Sequence, residues 1–161
     1  MKRIAESIVI NRPCDEVFRY LATRSHDPEW MVSVLESRWL DAADSGSTEP
    51  ASIGRRGRMV MKIQGRPVEL VDEVTEYQPG RVIAHRTVDG PFPLNTACLC
   101  DPLPEGCRAT VVGEAGRRFG GVFAPLVEPF VARSVRRGFK ADLVRLKSIL
   151  EADAAPAEGR A

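Results

Sequence analysis

The stretch FVARSVRRGFKADLVRLKSILE, residues 130–151, decides the architecture. Its apolar positions Val131, Val135, Phe139, Leu143, Leu146 and Leu150 advance by four, four, four, three and four residues. A helix of 3.6 residues per turn brings such positions onto one stripe. Arg133, Arg136, Arg137, Lys140 and Lys147 fall on the other side, where water can solvate them. A stripe of this kind needs a partner surface, and the only runs upstream that can supply one have a period of two. The expected architecture is therefore one amphipathic helix laid across a curved antiparallel sheet.

The helix is expected to begin near Phe119, with a kink or a fresh start at Pro129, because proline removes an intrahelical hydrogen bond. Phe123, Val127 and Phe130 then form a differently phased apolar patch. Gly138, beside the stripe, costs about 1 kcal/mol relative to alanine, so either a neighbour comes close to it or the space above it is used.

Upstream, Ile4 to Ile10 reads as a first strand. A short helix carrying Val17, Phe18 and Leu21 follows, with Asp15 near its cap, and a second covers Asp27 to Met31, opened by Asp-Pro. Val32 to Leu40 is the next strand, and Asp41 to Gly57 a loop rich in Ser, Gly, Ala and Asp. Arg58–Ile63 alternates strictly, and strands over Val68–Tyr77, Arg81–Val88, Phe92–Asp101 and Cys107–Ala115 follow, separated by Gly- and Pro-containing turns. Strands with no βαβ alternation, closed by one helix, define an α+β fold with an antiparallel sheet.

The 161 residues suffice for one domain with a real core, expected over 1–152, with 153–161 as a mobile tail. Lys and Arg total 23 against 22 Asp and Glu, a net charge of +1, which gives no reason to expect a nucleic-acid partner. No run of about 20 apolar residues is present for a membrane span, and MKRIAESIVINRP lacks the apolar core and cleavage site of a signal peptide. A cytoplasmic protein is expected, monomeric or homodimeric. Cys14, Cys98, Cys100 and Cys107 lack zinc spacing and are expected to be reduced thiols. There is no Gly-x-Gly-x-x-Gly, Walker, HExxH or Gly-x-Ser-x-Gly motif, so neither cofactor nor metal is expected.

The opening SIVINRPCDEVFRYLATRSHDPEW (7–30), the segment VTEYQPGRVIAHRTVDGPFPL (74–94) and the terminal helix resemble the START and polyketide cyclase-like (SRPBCC) superfamily, over roughly residues 4 to 152. The resemblance implies a helix-grip fold: a curved seven-stranded antiparallel sheet around a long C-terminal helix, with two short helices between the first two strands. Members of that superfamily include lipid carriers, hormone receptors and aromatase/cyclases, so it does not by itself assign an activity. It lacks here the Cys-x-His cluster and paired histidines of the Rieske oxygenase members, so no iron is implied. The related branch usually has aromatics at the positions of His85, Cys98 and Cys100, and thiols in their place would leave more room.

A sheet curled around one helix leaves apolar inward positions to line a cavity. Strand parity nominates Met59, Met61, Ile83, His85, Thr87, Phe92, Cys98 and Cys100. The helix contributes Phe123, Val127, Phe130, Val131 and Val135, and Trp30 and Met31 are placed at the mouth, with Trp39 nearby. Asp72 shares the inward parity, which implies either a strand end in water or a bulge. Glu6 shares the parity of Ile4, Ile8 and Ile10 and is either a partly buried carboxylate or, more in keeping with a strand-end Glu, one that reaches water. His26 reads as a surface residue. Two functions are consistent with this set. One is binding of a small hydrophobic molecule such as a lipid, quinone or polyketide. The other is a metal-free cyclase or dehydratase in which His85 acts as general acid or base.

Overall fold

A computed structural model describes residues 3–41, 51–115 and 124–152, without the side chains of 115 and 124–129. Strand β1 (Arg3–Ile10) leads to α1 (Cys14–Leu21), a 3-10 turn (Arg24–His26), α2 (Asp27–Trp30) and β2 (Val34–Trp39). Then come β3 (Arg56–Ile63), β4 (Arg66–Gln78), β5 (Val82–Asp89), β6 (Leu94–Leu103), β7 (Gly106–Ala115) and α3 (Ala124–Ala152). The seven strands form one antiparallel sheet in the order β1-β7-β6-β5-β4-β3-β2. It is the curved sheet, long C-terminal helix and inserted short helices of the helix-grip architecture. No described helix is long and apolar enough to cross a membrane.

Local chemistry accounts for the meander. Gln64 and Gly65, with φ of 50° and 80°, make the tight β3–β4 turn, a backbone geometry that suits the twist of the paired strands. Pairing of β4 with β5 shifts register between Val71 and Asp72 and between Val74 and Glu76, and such bulges bend a sheet. On the β3 side Asp72 stays in regular register with Gly57, so the strand bulges and yet keeps Asp72 inward.

Helix α3 lies across β1 and β7. Leu143, Leu146 and Leu150 are 2%, 0% and 7% exposed, in one core with Ile10, Val17, Phe18, Cys107 and Ala109. Above them Phe139 rests on Gly113, where an added Cβ would lie 2.8 Å from the Phe139 Cζ. The remaining ties follow toward the C-terminus. Lys140 Nζ is 3.9 Å from a Glu6 carboxylate oxygen, and the Val32 amide donates to Asp142 Oδ1 at 2.9 Å. Lys147 Nζ donates to the Val9 carbonyl and to Glu151 at 2.7 Å each, and the Asn11 amide donates to Glu151 at 2.9 Å. Among the described residues, no such tie precedes Phe139.

Several expectations are corrected. Helix α3 runs from Ala124 through Pro129 without interruption, so no fresh start occurs there. Nothing lies within 4 Å of a Cβ built on Gly138, so no neighbour comes close there. Lys147 is not a solvated residue of the polar face, since it caps the end of β1. The side chain of Asp27 does not cap α2, whose N-terminus has no side-chain cap, but bonds across to β2. His26 is half-buried and stacks on Tyr20 at 4.2 Å. Glu6 is half-buried on the inward face, so of the two readings the partly buried carboxylate holds. Cys14 and Cys107 form a disulfide from α1 to β7, where two reduced thiols were expected; Cys98 and Cys100 are free. Phe119, Phe123 and the segment 153–161 lie outside the described residues, and so does the Val127 side chain.

Truncating Leu143 to Ala is expected to lose about 2–5 kcal/mol, as buried leucines do, and Arg137→Ala to stay within about 0.5 kcal/mol. Chemical denaturation of both variants checks the helix phase.

Candidate functional site

Strand register sorts the concave side into rows. One row runs Ile4, Gly113, Thr96, His85 and Val74 across β1, β7, β6, β5 and β4. The next runs Glu6, Val111, Cys98 and Ile83, and a third Ile8, Ala109 and Cys100. Toward β2 the row Thr87, Asp72, Gly57 and Trp39 closes the other side. The parity expected for His85, Thr87, Cys98, Cys100, Met59 and Met61 is the parity found.

Burial separates these residues into two groups. Trp30, Ile83 and Cys100 are 1–2% exposed and packed within the hydrophobic core. Met31, Met59, Met61, His85, Thr87, Phe92, Thr96, Cys98 and Val135 are half-buried. Val131 is 39% exposed and Phe130 77%, so Phe130 stands in solvent instead of facing the sheet. The half-buried set covers β3, β5, β6 and the segment of α3 that precedes Phe139.

Next to this surface lies a buried polar cluster that the parity argument missed. The Arg24 guanidinium pairs with Asp72 and donates to Ser37 Oγ at 3.1 Å, and Ser37 Oγ donates to Asp27 Oδ2 at 2.6 Å. All four residues are at most 8% exposed. Arg24 occupies the space a side chain at Gly57 would need, and Arg24 and Arg55 cover the Trp39 ring at 4.7 and 4.4 Å. Trp39 is thereby structural, buried at 4%. Burial raises the Asp27 pKa to about 7 against the opposing pull of Arg24 and Ser37, with Asp72 adding a further upward push. The Trp30 indole N–H lies close enough to favour the Asp27 anion, yet it makes no hydrogen bond of good geometry.

His85 sits between the two regions. Its Nε2 is shut off from solvent and has no hydrogen-bond partner among the described residues. Burial, then the Arg24 charge, lowers its pKa to about 3, so the ring is neutral at pH 7. A neutral ring offers one donor and one acceptor. Thr87 already donates its hydroxyl to the Leu94 carbonyl at 3.1 Å. Burial also pushes the Cys98 thiol far up and the Cys100 thiol to about 12, so neither is a nucleophile at neutral pH. No group of three or more His, Cys, Asp or Glu side chains placed to hold a metal occurs among the described residues.

A separate depression of about 370 Å³ opens on the opposite, convex face, between the outward side chains of Ala84, Arg86, Asn95, Ala97, Val112 and Glu114. His85 and Thr96 of the rows above are also among the residues that line it.

The fold and these rows place the chain in a recognisable class. Residues 1–151 match the family described as polyketide cyclase/dehydrase and lipid transport, and the chain belongs to that family. Similar solved structures include the ZhuI aromatase/cyclase from Streptomyces sp. R1128, with a TM-score of 0.76, 16% identity and coverage of 99% of both chains. A protein from Thermus thermophilus superimposes with a TM-score of 0.76 at 16% identity, over 96% of this chain and 100% of that one. A START superfamily protein from Mycobacterium smegmatis gives 0.66 at 16% identity, over 91% and 98%. At such identities the likeness is one of fold, and it agrees with membership of the SRPBCC superfamily. A comparison with curated proteins found no match.

The two displaced titrations have opposite signs. The folded state keeps a proton on Asp27 that the unfolded chain gives up, so this group's contribution falls as pH rises from about 4 to about 7. The folded state refuses a proton at His85 that the unfolded chain takes up, so that contribution rises from about pH 3 to about 6.5. Relative to wild type, Asp27→Asn should therefore gain stability more steeply as pH rises through this window, and His85→Phe less steeply. Urea melts at half-unit pH steps would show it, and parallel profiles for all three proteins would refute it.

Proposed function

We propose that the protein binds a small hydrophobic molecule on the concave face, between the β3–β6 side of the sheet and the half of α3 that precedes Phe139. One observation carries this reading. Every described tie of α3 to the body involves Phe139 or a later residue, while inward-facing apolar residues of β3 and β6 keep part of their surface uncovered. A monomer does not usually leave a set of methionine, phenylalanine and valine side chains half-covered unless something else completes the burial. Met59 and Met61, unbranched and polarizable, adapt to ligands of different outline. Family membership supports the same reading, since lipid transport is among the activities the family description names.

The cyclase or dehydratase alternative uses the same cleft but asks more of His85. A general acid or base works best with a pKa near the operating pH, and the buried ring at about 3 is far from it. The environment of His85 favours hydrogen bonding over proton transfer.

Uptake of the neutral, solvent-sensitive dye Nile red tests the proposal. Wild-type protein is expected to bind one dye per chain. Val135→Trp, which puts an indole in the cleft, should weaken binding at least ~10-fold, as overfilling a fitted site does, whereas Arg137→Ala should leave it unchanged. Equal binding by both variants, or none by wild type, would defeat the reading.

A further inference from the structure

We infer that the ligand is an uncharged apolar molecule carrying a hydrogen-bonding oxygen at its inner end, held at His85 Nε2, and that carboxylate- and ammonium-ended molecules are rejected. This rests on the binding reading and narrows it to a ligand class.

Unsatisfied hydrogen-bonding capacity is the starting point. A buried polar atom without a partner costs about 1–3 kcal/mol and is rarely left so without a reason. His85 Nε2 is such an atom, on the inward side of β5, with Thr96 as its register partner on β6. Side chains directly opposite each other have Cβ atoms about 4.5–5.5 Å apart, so the Thr96 hydroxyl can reach an oxygen placed at His85. The neighbouring Thr87 hydroxyl is already engaged with Leu94. On either side of this point the half-buried surface is apolar, with Phe92 and Cys98 on the sheet and Val135 on the helix.

The charges nearby decide what kind of oxygen fits. A carboxylate brought out of water needs a direct cationic partner to offset its desolvation. Arg24 is 5% exposed, walled in by Trp39 and Gly57 and committed to Asp72 and Ser37. Lys140 faces Glu6 from an outer position and is 68% exposed, while Lys147 is committed to Val9 and Glu151. Arg24 and Lys147 are thus committed elsewhere and Lys140 faces Glu6, and Asp72, Asp27 and Glu6 face the concave side with negative charge or the capacity for it. An ammonium group is disfavoured for a different reason. The Arg24 charge is felt at His85, where it opposes a second positive charge, and the Asp72 carboxylate that could attract one is already paired with Arg24. A carbonyl or hydroxyl oxygen carries only partial negative charge. It accepts the imidazole N–H, or donates to the ring nitrogen, without any ion being desolvated.

Four probes of nearly one shape test this: 2-acetylnaphthalene, 2-ethylnaphthalene, 2-naphthoate and (2-naphthylmethyl)ammonium, each displacing Nile red at pH 7. The ketone is expected to bind roughly 5- to 10-fold tighter than the hydrocarbon, the effect of one net hydrogen bond, and both ions more weakly than the hydrocarbon. His85→Phe should bring ketone and hydrocarbon within about twofold of each other, the same bond being lost. In wild-type protein the ¹⁵N resonance of His85 Nε2 should move with the ketone and not with the hydrocarbon, which decides the matter even if His85→Phe fails to fold. Tightest binding by either ion, a ketone preference that survives His85→Phe, or a stationary Nε2 resonance would overturn the inference. Failure of both Nile red and 2-ethylnaphthalene to bind would instead remove the binding reading beneath it.

Discussion

The arrangement depends on one contact, the ring of Phe139 in the space left by Gly113. Below it, three leucines at helical spacing close the core against β1, β7 and α1. Above it, the helix continues past Val135 and Val131 with a stripe of the same period but no described partner. A Cβ at position 113 would lie 2.8 Å from the Phe139 Cζ, so the ring would have to shift. The described ties of α3 begin at this contact, and the half-buried Val135 and exposed Val131 lie beyond it. His85 and Thr96 stand on the same row as Gly113.

A second constraint is electrostatic and lies toward β2. Arg24 is buried with its guanidinium paired to Asp72 and bonded to Ser37, its Nε without a partner among the described residues, and Arg24 and Arg55 both lie over the Trp39 ring. Breaking one member would leave an uncompensated charge inside, which is far costlier than the pair is beneficial. The cluster therefore reads as an anchor that fixes the 3-10 turn and α2 to the sheet, with His85 at its edge sensing the Arg24 charge.

The elements whose chemistry is local were legible in the amino-acid sequence. The Val131–Leu150 stripe identified the helix, and the strict alternation of Met59, Met61 and Ile63 identified both a strand and its inward face. The polar cluster was not legible, for a physical reason. Arg24 and Asp27 sit in a short polar turn that resembles solvent-exposed sequence, and Arg24 finds its partners 13 and 48 residues away. Only the inward parity of Asp72 hinted that a buried cation had to exist. The disulfide joins residues 93 apart and has no spacing signature. The sets of inward residues were correct as faces, but parity cannot tell a closed core position such as Ile83 from a half-covered one such as Met61.

Family membership narrows the activity without choosing it, since the same fold serves carriers and cyclases. The central claim is where an apolar molecule sits. Intermolecular nuclear Overhauser effects from bound 2-ethylnaphthalene to assigned methyl groups measure this directly. Concave-face binding predicts contacts to Val135, Met59 and Met61, and none to Leu146, Ala84 or Ala97. Contacts to Ala84, Ala97 and Val112 would put the molecule in the convex depression and contradict it.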